Sequence, residues 1–179
     1  MRSIQGSYGR LIAEATGGDA ARSALLAALA ASESGGNRQA YRFVPANHQR
    51  LLGLLSGDES RLDGLTRAQL EKRLDAAGSQ AERQELLKRL AGLHGYTQIA
   101  GYHSIVWKEP LEALAERARH FSFAALLLDR LCREFELDPA WHATELGRRW
   151  NAGLDRSAIY VWRLEERMRL YREVVDSRQ

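Results

Sequence analysis

Apolar residues recur every three or four positions through most of this chain, and that spacing dictates a mostly α fold. Phe123, Leu127, Leu131 and Phe135 fall on one face of a helix predicted over residues 122–136. Tyr160, Leu164, Met168, Tyr171 and Val175 form a second stripe on a helix predicted from about residue 157 to 175. Residues 21–31 are rich in the strongest helix formers and read as the first firm helix. Thr66 with Gln69, and Ser79 with Glu82, have capping-box spacing and open two more helices. Pro110 suits the first turn of a helix to about His120, and Asp138 with Pro139 starts another that ends at Gly153. Only two segments, residues 40–44 and 95–102, have the character of short strands that pair with each other.

The 179 residues suit one domain with a proper core. Residues 1–20 are expected to be an N-terminal extension, and residues 21–179 the domain. The formal charge of +3 is small and interleaved with acids on the helices, which argues against a nucleic-acid surface. The single cysteine, Cys132, lies in an apolar run and reads as a small packing residue. The five histidines are scattered, with no metal-ligand spacing and no phosphate-binding glycine loop, so neither a metal nor another cofactor is expected. No apolar run approaches the roughly 20 residues that cross a bilayer, so stable membrane insertion is not expected. The N-terminus has no secretory pattern, and the expectation is a chain made in the cytoplasm that reaches any outside target by delivery or lysis.

Three glycine-containing joints collect the chemistry. At the first, an alanine-rich helix runs into Glu33 and stops on Gly35 and Gly36. A carboxylate at a helix C-terminus meets the negative end of the macrodipole, which disfavours its charged form. A carboxylic acid that stays protonated near neutral pH is what a general acid requires. The same position also fits an ordinary solvated helix end. The other joints hold Tyr96, Gln98, Tyr102 and His103, then Trp150 and Asn151 before the helix of Tyr160. Each of these has a plain structural role as well: Gln98 as a loop amide, Asn151 as a left-handed cap, the aromatics as packing residues and His103 as a hydrogen-bonded histidine.

Taken in order, Glu33-Ser34, then Tyr96-Thr97-Gln98-Ile99, then Trp150-Asn151-Ala152-Gly153, then Tyr160, the chain resembles the lysozyme-like superfamily of peptidoglycan-cleaving enzymes. That superfamily includes lytic transglycosylases, goose-type lysozymes and the N-acetylmuramidase domains of phage endolysins. The resemblance implies a single lysozyme-like domain with a helical insert over residues 38–94. It further implies Glu33 as the catalytic acid and base. Tyr96, Gln98, Tyr102, His103, Trp150, Asn151 and Tyr160 would then bind the glycan, supplying flat faces for sugar rings and amides for their N-acetyl groups.

The pattern departs from the family where Trp150 stands for a tyrosine and Tyr96-Thr97 for a Leu-Met or Trp-Gly pair. No acidic residue stands near His48, so a second carboxylate rests on position alone, at Glu109 or Asp155. Hydrolysis of the β-1,4 bond between N-acetylmuramic acid and N-acetylglucosamine, and lytic transglycosylation giving 1,6-anhydro ends, both stay open. So does a non-enzymatic helical binding or regulatory module. Peptidoglycan glycan strands are the implied partner. The setting is a phage lysin or a secreted antibacterial effector, and an effector brings with it an immunity protein that plugs the cleft.

Overall fold

The computed structural model describes residues 1–150 and 158–177, and it is mostly helical. Helix α2 (Ala20–Glu33) is the centre of the packing, and the run from Ser23 to Ala30 is buried throughout. Asp19 caps its start by accepting from the Arg22 amide at 2.8 Å. Alanine on so many of its positions lets neighbours approach closely, and α1 (Arg2–Ala15), α7 (Arg117–Phe135), α8 (Ala143–Trp150) and α9 (Ala158–Asp176) all pack against it.

The N-terminal segment is therefore part of the fold rather than an appendage. Ile4 and Ile12 of α1 are buried, and the Thr16 hydroxyl at its end hydrogen-bonds Ser23 of α2 at 2.7 Å. The stripe predicted on α9 is the buried one, with Tyr160, Leu164, Met168 and Tyr171 inside.

Residues 38–94 carry α3 (Pro45–Ser56), α4 (Arg67–Leu74) and α5 (Gln80–Ala91), which pack on one another through Leu51, Leu54, Leu70, Leu74 and Leu90. Thr66 and Gln69 form the full reciprocal capping box, and Ser79 accepts from the Glu82 amide. The short strands β1 (Tyr41–Arg42), β2 (Leu93–His94) and β3 (Ile99–Ala100) make one antiparallel sheet in that order. The two segments read as strands are thus not neighbours in the sheet, although the Gly95 amide donates to the Ala40 carbonyl at 2.9 Å. Leu93 and His94 stand between them, with Arg42 opposite Leu93 and Leu93 opposite Ala100.

Two helix starts differ from expectation. After Pro110 the chain makes only a 3₁₀ turn, Leu111–Ala115, because the Leu114 carbonyl accepts from His120 Nδ1 at 2.7 Å and Glu116 is extended. Helix α7 begins directly after, at Arg117 rather than near Ser122. Asp138 likewise closes a turn, its carbonyl accepting from the Trp141 and His142 amides, and α8 starts only at Ala143. The expected end of that helix at Gly153 lies outside the described residues. Between His94 and α7 lies the four-residue helix α6 (His103–Val106). No helix among the described residues is long and apolar enough to cross a membrane.

Candidate functional site

The glycine pair after Glu33 has a steric reason. Gly35 and Gly36 have φ of +63° and +84°, the left-handed region that side chains disfavour. The Gly36 amide donates back to the Ala30 carbonyl at 3.1 Å, which closes the helix end. A Cβ on Gly36 would lie 2.6 Å from Ile4 Cδ1. This sharp stop leaves Glu33 as the last residue of α2, its side chain only 7% exposed.

Ser34 ties that helix end to the Gly95–Gln98 loop. Its hydroxyl donates to the Tyr96 carbonyl at 2.7 Å and accepts from the Gly36 and Asn37 amides at 3.1 Å each. The loop is fixed from its other sides too. Buried His120 donates from Nδ1 to Leu114 and accepts at Nε2 from the Thr97 amide and hydroxyl, at 3.0 and 2.9 Å. Its burial pulls the imidazole pKa down to about 4, against the pull of the Leu114 hydrogen bond. Trp150 Nε1 donates to the Thr97 carbonyl at 2.8 Å. Gln98, itself at φ +57°, donates from its amide to the carbonyls of Gly95 and Ala40.

These constraints wall a cavity of about 270 Å³, near the lower end of small-molecule sites. Glu33, Gln98, Tyr102, His103 and Trp150 all line it, so five of the sequence-predicted residues come together although they span most of the chain. Tyr160 joins them through its hydroxyl, which donates to Glu33 Oε1 at 2.7 Å across 127 residues of sequence. Arg42 of β1 stands 4.0 Å from the other Glu33 oxygen.

Tyr96 corrects the expectation. Its ring is wholly buried, stacked on Phe121 with centroids 5.1 Å apart and meeting Tyr8 edge-on, so it is a packing residue and offers no face to a sugar. Asn151 and Asp155 lie outside the described residues. Glu109 does not line the cavity; it pairs with Arg119 at 2.7 Å.

Two other carboxylates share the cavity with Glu33: Glu134 of α7, which pairs with Arg130, and Asp63, in the Leu62–Leu65 turn. Tyr102 donates to its Oδ2 at 2.6 Å, and Arg130 of α7 donates to its Oδ1 at 3.2 Å and to its carbonyl at 2.8 Å. Burial works against its charge, but the Tyr102 hydrogen bond, His103 once protonated in the acidic range, and the charges of Arg130 and Arg50 outweigh it and hold the pKa below the usual carboxylate value. Burial likewise raises the Tyr102 phenol, with the Asp63 charge adding to it. His103 is lowered to about 4 by burial, partly offset by Asp63. It therefore stays neutral near pH 7, and its ring stacks on Trp107 at 5.2 Å.

Helix α7 adds apolar lining. Leu127, Leu131 and Phe135, three members of the predicted stripe, line the cavity. Arg149 lies over the Phe135 ring at 4.1 Å. The site thus joins the buried Glu33 carboxyl, the Asp63 and Glu134 carboxylates, apolar and aromatic surface and four arginines. Among the described residues no group of three His, Cys, Asp or Glu is placed to hold a metal ion. Compared with known proteins, the chain matches no family model, no curated protein and no solved structure.

Proposed function

We propose that this chain is a peptidoglycan-cleaving glycosidase, an N-acetylmuramidase, with Glu33 as general acid and base. The observation that carries the reading is the carboxyl of Glu33 at the end of a buried helix, gripped by the Tyr160 hydroxyl and opening on a cavity with Gln98, Trp150 and Asp63. The order of the motifs along the sequence adds the lysozyme-like resemblance to this chemistry.

In the proposed reaction Glu33 gives its proton to the glycosidic oxygen as the bond from that oxygen to C1 of the muramic acid breaks. The Asp63 carboxylate stabilises the positive charge that develops on the sugar. Water then adds to C1 and returns a proton to Glu33. Asp63 is the specific reason to favour hydrolysis over lytic transglycosylation, in which one glutamate works with the substrate's own N-acetyl and C6 hydroxyl groups. The target lies in the cell wall, reached by delivery or lysis, and delivery as an effector entails an immunity protein over the cleft.

Purified sacculi incubated with the protein test this directly. Soluble muropeptides with reducing ends are the expected products. Products with only 1,6-anhydro ends would replace hydrolysis by transglycosylation, and intact sacculi would return the chain to the class of helical binding modules.

A further inference from the structure

We infer that Arg42 and Arg50 read a carboxylate on the glycan beside the bond that is cut, so that the cavity takes an acidic glycan in preference to a neutral one. This rests on the glycosidase reading above and names the chemistry of the substrate it selects.

Four arginines, Arg42, Arg50, Arg130 and Arg149, line the cavity with three carboxylates, Glu33, Asp63 and Glu134. Two of the arginines are committed. Arg130 is shared between Asp63 and Glu134, and Arg149 donates to Glu145 at 2.8 Å while lying over Phe135. The carboxylates are also engaged without help from the remaining two arginines: Glu33 by Tyr160, Asp63 by Tyr102 and Arg130, Glu134 by Arg130.

Arg42 and Arg50 are different. Among the described residues the Arg42 side chain makes no hydrogen bond, and its ion pair with Glu33 is at 4.0 Å, beyond hydrogen-bond reach. Its side chain is half exposed. Arg50 has one ion pair, from Nε to Glu59 at 3.5 Å, which leaves its terminal nitrogens uncommitted among the described residues. A guanidinium carries five N–H donors in a planar fork that matches a carboxylate. Arg42 stands beside Glu33, and Arg50 lines the same cavity as Asp63. The uncommitted donors therefore flank both carboxyl groups of the proposed reaction. Neutral chitin has nothing for them. A muramic acid strand has a free lactyl carboxylate when its peptide is absent, and stem-peptide carboxylates when it is present.

Calorimetric titration of the Glu33→Gln protein with three soluble tetrasaccharides separates the cases: peptide-free muramic acid–glucosamine, the same strand with stem peptides, and chitotetraose. At least one acidic ligand should bind about 10- to 100-fold more tightly than chitotetraose, the range of a charge-assisted hydrogen bond or two. The gap should shrink in Arg42→Gln and Arg50→Gln and in high salt. A preference for the peptide-free strand assigns the lactyl group, and a preference only for the stem-bearing strand assigns the peptide. Both variants alter exposed side chains, and circular dichroism checks that they remain folded. Chitotetraose binding as tightly as both acidic ligands, or a gap that survives both variants, would overturn the inference while leaving a glycan site in place. No binding of any of the three would overturn the glycosidase reading and this inference together.

Discussion

Replacing Glu33 by glutamine should abolish wall cleavage and leave the protein folded. The amide is nearly isosteric, and its oxygen can still accept from the Tyr160 hydroxyl that sits at 2.7 Å. A protonated acid gives that bond no charge assistance to lose, so the exchange there costs about 0–1 kcal/mol. The Arg42 contact, at 4.0 Å with a half-exposed partner, contributes about 0–1 kcal/mol more. A folded domain has roughly 5–15 kcal/mol in hand, so the fold survives and Tm moves by only a few degrees, roughly 2–4 °C per kcal/mol. The rate has no such reserve. General acid and base catalysis contributes about 10²–10⁴-fold, and a residue that must give a proton and then take one back falls at or beyond the upper end. The assay is release of soluble muropeptides from sacculi, run beside thermal unfolding of both proteins. A folded Glu33→Gln protein that released muropeptides at near wild-type rate would remove Glu33 from the mechanism.

Two further substitutions probe the surroundings. Asp63→Asn keeps the volume but removes the ionised charge, and it should lower kcat by about 10²-fold or more with little effect on KM; a loss confined to KM would make Asp63 a binding group only. Gly36→Ala must hold φ near +84° and push Ile4 aside. It should cost about 1–2 kcal/mol, a fall of roughly 2–8 °C in Tm, and an unchanged Tm would refute the steric account of the glycine stop.

What could be read in the sequence was whatever is encoded locally. The cap at Thr66, the stripe on α9 and the stop at Gly35 and Gly36 each depend on residues within a turn or two of one another. Helix α1 was missed because Gly6 and Gly9 depress its propensity and Met1 offers no side-chain cap. Its stability comes from burying Ile4 and Ile12. Asp63 was missed for a related reason. In sequence it is the Asp of an Asp-Gly turn, and only the approach of Tyr102 and Arg130, 39 and 67 residues away, makes it a cavity carboxylate. Tyr96 misled in the opposite direction, since proximity to Gln98 along the chain says nothing of which way the ring points. The left-handed conformation of Gln98 turns the chain there, and the tyrosine goes inward.

The same loop ties the protein's stability to pH. His120 is wholly buried and neutral, with both ring nitrogens occupied: Nδ1–H on Leu114 and Nε2 accepting from Thr97. Its folded pKa of about 4 lies well below the ordinary value of 6.5. A histidine with a depressed folded pKa leaves stability intact above pH 6.5, where neither state binds the proton. Between pH 6.5 and about 4 the unfolded chain takes up a proton that the native ring refuses. Stability then falls by about 1.4 kcal/mol per pH unit for one such histidine. His103, lowered for the same reason, acts in the same direction and the same window. Asp63 does not offset this, because its pKa is below the carboxylate value and its contribution is lost only at still lower pH. Thermal unfolding followed from pH 7.5 to 4.5 should therefore show a Tm flat at the upper end and falling steeply below about 6.5. Amide exchange at Thr97 should rise early in that fall, since its N–H is held by the nitrogen that protonation would take. The control is His120→Gln, which sacrifices stability at neutral pH but should flatten the slope by about one proton's worth. A wild-type Tm constant down to pH 4.5, or a slope unchanged in His120→Gln, would show that the imidazole is not the neutral clasp of this loop.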